Sequence, residues 1–356
     1  MSSLKTIPSI LMERELEFGK LVLPQILENL VYNLSAVFFA WHGLGVRSFA
    51  YAVLFRGIVG LVAIYILRPW LPGFAFSKKS LKKLLSFGIP YQANTLLATL
   101  KDDGMTAVLG GILGMGGVGL LGWAQKWAQA PLRFFMDHVI KVTFPAFARM
   151  QDEKDHLKRS VTRSIFFICF LVFPTLVGLL LLAPILVQVI PRYEKWQPAL
   201  LALSLIGINT VFAAVTTQLT NLLNSIGKIK ITFKLMIMWT VLTWLFVPAL
   251  AIKYGVSGAA LGYAIVGASS VVAIYVARKY VRFSLRDSVL WPGISAAIMA
   301  IVVYLLREVL PVSFTSVWIL IGVGAITYLV MTYLFVGSSL IIDAKKSFKA
   351  IFSKKA

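Results

Sequence analysis

Cysteine is nearly absent: Cys169 stands alone in an apolar run, which excludes a disulfide framework and offers no thiolate pair for a metal. The three histidines, His42, His138 and His156, are scattered without ligand spacing, so no metal site and no cofactor is expected. Acidic residues are scarce too, 14 against 35 Lys and Arg, for a net charge of +21. In a soluble chain that imbalance would suggest nucleic acid. A hydrophobic content of 59% and a mean hydropathy of +0.84 exclude a soluble chain. Alternating strand-type patterning is lacking, which points to helices rather than a barrel. No signal peptide precedes the first apolar run; Met1 to Lys20 is polar, with Glu13, Glu15 and Glu17 interleaved with Arg14, and reads as a cytoplasmic lead-in. No outer connection exceeds about ten residues, whereas a membrane glycosyltransferase or polymerase generally needs a sizeable extramembrane domain. The expectation is therefore a non-enzymatic, all-α polytopic membrane protein.

What the chain does hold is apolar length. About ten segments are long enough to span a bilayer: 21–41, 46–67, 85–113, 117–147, 162–190, 198–224, 231–252, 256–277, 288–309 and 315–337. Alternate connections divide the cations sharply. One set holds only Arg47, Arg192, Lys195, Lys253 and Arg307; 25 of the 35 fall in the other set and the two ends of the chain. The positive-inside rule places the rich set, and with it both termini, in the cytoplasm beside anionic lipid. Nothing else in the charge pattern calls for nucleic acid.

Five cations remain, inside the spans: Arg56, Lys101, Lys126, Arg133 and Lys141. Between Gly88 and Arg149 the pattern reads as two long helices broken at Gly114 to Gly117. The first carries Lys101, Asp102 and Asp103, and the second carries Lys126, Arg133, Asp137 and Lys141, spaced by 7, 4 and 4. At about 100° per residue these four fall within roughly 80° of arc, close to Trp123 and Phe144. A rise of about 1.5 Å per residue sets Lys126 about 15 Å from the helix start near Gly116 and Lys141 near the opposite interface. Ions at such depth are costly unless they face a bundle interior or a watery cavity. The bland alternative is internal pairing, Arg133 with Asp137 and Asp137 with Lys141, at i, i+4. Lys126 has no acid within a turn on its own helix, which makes it the better candidate for an external anion.

Other polar faces fall at helical spacing. The first span presents Gln25, Glu28, Asn29, Tyr32 and Asn33, a side that should face other helices. Arg56, near the middle of the second span, is a further candidate anion contact or a partner for Glu28. Gln92, Thr95 and Thr99 share a face of the third span, and Asn209, Thr216 and Asn224 share one of the sixth. Gln92, Gln129 and Asn209 are candidate cavity-lining residues, although Asn209 equally suits a hydrogen bond across helices. Asp102, Asp103 and Asp137 are candidates for ion coupling. A basic, Pro- and Gly-containing stretch from Leu71 to Lys83 is the best domain boundary.

An offset of 210 residues aligns Gly45-Val46 with Gly255-Val256 and Gly57 with Gly267. It also lays Val62-Ala63-Ile64-Tyr65-x-x-Arg68 on Val272-Ala273-Ile274-Tyr275-x-x-Arg278. The two helix pairs therefore read as copies of one repeat. Four helices precede the second copy and only twenty residues precede the first, which predicts a first copy lacking its first four helices.

The run Phe87-Gly88-Ile89-Pro90, Leu109-Gly110-x-x-Leu113-Gly114, Lys126-x-Ala128-Gln129-x-Pro131 and Phe144-Pro145-Ala146-Phe147-x-Arg149-Met150-Gln151-Asp152 resembles the polysaccharide flippases. These are the Wzx-like translocases of the multidrug/oligosaccharidyl-lipid/polysaccharide superfamily. The resemblance implies two six-helix lobes around a cavity of alternating access, often with two extra C-terminal helices. Here it implies residues 1–70 as a two-helix remnant of the first lobe, 71–84 as a basic linker, 85–282 as a complete six-helix lobe, and 283–356 as the extra pair with a basic tail. Members commonly carry Arg where Lys126 stands. The function implied is flipping of a polyprenyl-pyrophosphate-linked oligosaccharide across the cytoplasmic membrane; the cations read above from depth and spacing, Lys126, Arg133, Arg56 and Lys141, would then meet its anionic headgroup, with H+ or Na+ as possible coupling ion. The alternatives are a multidrug-type exporter of the same superfamily, which would favour an acidic, aromatic cavity, or a transport-incompetent fragment that needs a partner.

Overall fold

The computed structural model describes residues 2–14, 18–70, 77–78, 81–82, 85, 96 and 99–337. The described residues contain helices and no strand, as the long apolar runs require. The chain divides into two compact units, Met1–Ser86 and Phe87–Ala356.

The first unit holds α1 (Ser2–Arg14), α2 (Phe18–Trp41) and α3 (Arg47–Leu67). Helices α2 and α3 form a hairpin through Gly43 and Gly45, whose φ of 80° and 52° few other residues adopt. The polar opening of the chain, expected as a lead-in, is instead the helix α1 packed along α3. Met12 is fully buried against Ile64, and the Tyr65 hydroxyl donates to the Leu4 carbonyl at 3.5 Å. The offset of 210 explains this. It carries Ser2–Arg14 onto 212–224, the second half of a buried helix in the second unit, and it matches Thr6 with Thr216 and Lys20 with Lys230.

In the second unit a π-turn at Leu100–Gly104 leads into α4 (Met105–Arg149). There follow α5 (Lys154–Val189), a short 3-10 turn at Glu194–Ala199, α6 (Leu200–Ser225), α7 (Ile229–Ala268), α8 (Val271–Tyr280), α9 (Trp291–Val309) and α10 (Phe314–Val336). Eight described stretches are long and apolar enough to cross a membrane; two of them, Leu100–Ile140 and Ile229–Tyr280, run to 41 and 52 residues. At about 1.5 Å per residue each far exceeds the ~30 Å of hydrocarbon. Each is broken by one glycine, Gly114 at φ 68° and Gly255 at φ 61°. Beyond Gly255 the chain folds back on itself. A Cβ at Gly258 would lie 1.9 Å from the Leu250 carbonyl oxygen, and one at Gly262 would lie 2.8 Å from the Val247 Cα. The small residues allow the two arms of α7 to touch backbone to backbone. The breaks turn eight stretches into ten segments and place Gly255 where the repeat sets it against Gly45.

Packing in the second unit forms two apolar clusters stacked along the bundle. One joins Leu109, Leu121, Ala124 and Ala128 of α4 to Leu203 and Ile206 of α6 and Val247, Ala251 and Ala259 of α7. The other centres on α5, with Val161, Ile165, Ile168 and Val172 against Leu219 and Leu222 of α6. The pair α9–α10 docks on α5 through Met299, Val303, Leu320 and Tyr328. The Tyr328 hydroxyl donates to the Phe170 carbonyl at 3.0 Å, and Arg307 donates to the Leu181 carbonyl at 3.3 Å. Helix α6 rests on α7 and α8 in the second unit as α1 rests on α2 and α3 in the first.

Candidate functional site

The second arm of α4, residues 115–149, has two unlike faces. Leu121, Ala124, Ala128, Met136 and Phe147 are buried in the core of the unit. Lys126, Arg133 and Asp137 are exposed on the other face, as their spacing predicts. Gly119 and Gly122 lie on that same face, and a Cβ added at either would meet nothing within 4 Å, so the space beside Lys126 is open. Among the described residues no ion pair reaches Lys126. The alternative of an Arg133–Asp137 pair is not realised among the described residues: Arg133 Nη2 donates to Gln129 Oε1, one turn back, at 3.0 Å. Gln129 thus belongs to the stripe and orients Arg133, leaving Asp137 to face outward. The side chain of Lys141 lies outside the described residues, and so does Gln92.

Above the stripe, Trp123 stacks on Trp196 with ring centroids 5.4 Å apart and planes 9° apart, and Trp127 lies 6.5 Å from Trp123. Lys195 sits over the Trp196 ring at 5.2 Å. The Glu194–Ala199 turn is thereby pinned to α4 beside Lys126. Sequence reasoning missed this clasp because nothing local ties a loop tryptophan to a helix far upstream.

The other candidates separate. Asp102 is exposed and pairs with its neighbour Lys101 at 3.4 Å, and Asp103 is exposed beside it, both on the π-turn. Such turns insert one extra residue and recur at functional sites. Asn209 hydrogen-bonds across helices rather than lining open space: its Nδ2 donates to the Tyr263 carbonyl at 2.7 Å, and Gly267 lets α7 approach it. A side-chain amide in an apolar bundle has no water to donate to, so the carbonyl serves it. Arg56 lies in the first unit, where its Nε donates to Glu28 Oε2 at 3.3 Å. Glu28 and Tyr32 turn toward α1 and α3, whereas Gln25, Asn29 and Asn33 are exposed on that unit. Among the described residues no cluster of acids, histidines and cysteine suits a metal ion.

Comparison with known proteins bears on the family to which the chain belongs. A family model described as "Polysaccharide biosynthesis protein" matches residues 1–201, more than half of the chain. The chain belongs to this polysaccharide biosynthesis family. It is 27% identical over 278 residues to the lipopolysaccharide biosynthesis protein WzxC of Escherichia coli K12, covering 74% of this chain and 54% of the relative. It is 22% identical over 307 residues to the succinoglycan biosynthesis transport protein ExoT of Rhizobium meliloti, covering 84% of this chain and 61% of the relative. The chain thus spans about half to three fifths of the length of these relatives. Among solved structures it is similar to the lipid II flippase MurJ in its inward closed conformation, with a TM-score of 0.70 at 18% identity, over 88% of this chain and 67% of that one. That likeness establishes an all-α, multi-pass membrane fold shared with MurJ.

Proposed function

We propose that this member of the polysaccharide biosynthesis family is a non-enzymatic translocase that moves a polyprenyl-pyrophosphate-linked oligosaccharide from the cytoplasmic to the outer leaflet of the cytoplasmic membrane. The observation that carries the reading is Lys126: a cation part-way along a membrane-spanning arm, exposed, beside open space, and without an ion pair among the described residues. A pyrophosphate crossing a low-dielectric region loses its hydration, and charge-assisted contacts to a fixed ammonium replace part of it. Arg133, held by Gln129, and Lys141 extend the positive charge toward the cytoplasmic end, where the headgroup would enter. The names of WzxC and ExoT support the substrate class.

In this reading residues 85–282 act as a six-helix lobe, α2 and α3 as a remnant of the other lobe, and α9–α10 as an added pair braced on α5. The Gln151–Arg163 connection and the C-terminal tail lie on the cytoplasmic side, and the Arg192–Trp196 loop lies outside. Asp102, on its π-turn, and Asp137 are the groups through which H+ or Na+ would couple. Reconstitution into vesicles tests the assignment against a drug exporter. The full chain should move a fluorescent polyprenyl-pyrophosphate disaccharide and leave an amphiphilic cationic dye where it is. Dye efflux without movement of the pyrophosphate lipid would reverse it.

A further inference from the structure

Three ionisable groups of the first unit meet about halfway along α3. Glu28, whose side chain is only 12% exposed, accepts from Lys5 Nζ at Oε1 (2.5 Å) and from Arg56 Nε at Oε2 (3.3 Å). Gly60 makes the room, since a Cβ there would lie 1.9 Å from Glu28 Oε1. Arg56 is 46% exposed, lies 6.0 Å over the Tyr32 ring, and reaches Glu28 through Nε; among the described residues its two terminal nitrogens make no hydrogen bond.

The repeat shows what the fold alone demands at these places. The offset of 210 sets Lys5, Glu28 and Arg56 against Val215, Met238 and Val266. Val215 and Val266 are buried and Met238 packs against the core, so the same helices pack there without any charge. A buried ion pair is commonly no more stabilising than apolar side chains of similar volume. Stability therefore does not account for the three charges. Their sum is one positive charge, and each oxygen of Glu28 has its own cation.

We propose that Arg56 is an exchangeable anion contact: the pyrophosphate of a polyprenyl lipid displaces Glu28 from Arg56, while Lys5 keeps Glu28 paired. Glu28 is a parking site that holds Arg56 in the empty state, and Lys5 lets it go without stranding a buried carboxylate. The exchange favours the ligand because Glu28 takes a single N–H from the guanidinium, whereas a phosphate accepts two from its planar fork. The inference rests on the translocase reading above and adds to it a mechanism for loading.

The test is calorimetric binding of farnesyl pyrophosphate, with farnesol as reference, to the full chain in detergent. Arg56→Gln should weaken the pyrophosphate preference by about tenfold, as loss of one charge-assisted contact does. Glu28→Gln should tighten binding by about two- to fivefold, the worth of a half-exposed ion pair released. Lys5→Met should weaken it by a similar factor, because Glu28 then depends on Arg56 alone. The triple variant Lys5→Val, Glu28→Met, Arg56→Val should fold with an unchanged melting temperature and bind as Arg56→Gln does. Glu28→Gln and Lys5→Met moving affinity in the same direction, or neither moving it, would overturn the exchange. Should Arg56→Gln leave affinity intact while Lys126→Ala lowers it, the exchange falls and the translocase reading stands. Should the unaltered protein bind farnesol as tightly as farnesyl pyrophosphate, both fall.

Discussion

At the scale of single residues, the chain separates charges that are held from charges that are free. Arg133 leans on Gln129 and Lys101 on Asp102, while Lys126 has no ion pair among the described residues. Arg133→Ala should therefore reduce transport less than loss of Lys126, because Gln129 can turn to the substrate in its place; equal losses for the two would contradict the order. Asn209 tests the opposite kind of role. Asn209→Leu keeps the branched shape and the number of side-chain heavy atoms and removes the bond to the Tyr263 carbonyl, which should cost about 1 kcal/mol, read as an earlier unfolding midpoint in denaturing detergent, with flux per folded molecule unchanged. The stripe was legible in the sequence because an ion in an apolar run must be explained, and its spacing alone sets its face. The choice Asn209 makes was not legible: it turns on a carbonyl some fifty residues away that Gly267 brings within reach. Nor was the role of Lys5, whose partner Glu28 lies on the next helix.

At the scale of elements, the glycines of this chain do two different jobs that the same letter conceals. Gly258 and Gly262 sit under opposing backbone, and Gly119 and Gly122 sit beside nothing. Gly258→Val should cost about 1–3 kcal/mol by overpacking the α7 hairpin, seen as lower yield and earlier thermal unfolding. Gly122→Leu should leave stability at or above that of the unaltered protein, given the poor helix propensity of glycine, yet lower flux by filling the space beside Lys126. A parallel fall in stability for both would show that the α4 face is packed rather than open. The breaks at Gly114 and Gly255 were legible, since an apolar stretch far longer than a bilayer has to turn somewhere and glycine is where it does so most easily. The helix α1 was hidden, because only a few of its residues, Met12 among them, are apolar and buried; the same repeat offset carried upstream of Gly45 to the start of the chain would have disclosed it.

At the scale of the whole molecule, orientation and transport are the claims. In the orientation proposed from the division of cations between alternate connections, Lys158 lies inside and Tyr193 outside. A membrane-impermeant maleimide applied to intact cells should label a cysteine placed at 193 and spare one at 158, and the reverse pattern would invert the proposed orientation and direction of transport. Neither orientation nor substrate is fixed by helix packing, which is why the long apolar helices could be read from hydropathy while the direction of transport could not. The most direct measurement for the central claim is flux per protein molecule of a pyrophosphate-linked fluorescent disaccharide in vesicles for Lys126, Lys126→Arg and Lys126→Ala. Arg should retain transport within about threefold, because it keeps the charge at that depth, and Ala should lower it by tenfold or more. If Lys126→Ala lowers the amount of protein and leaves flux per molecule unchanged, Lys126 is a structural residue and the anion-binding face is refuted.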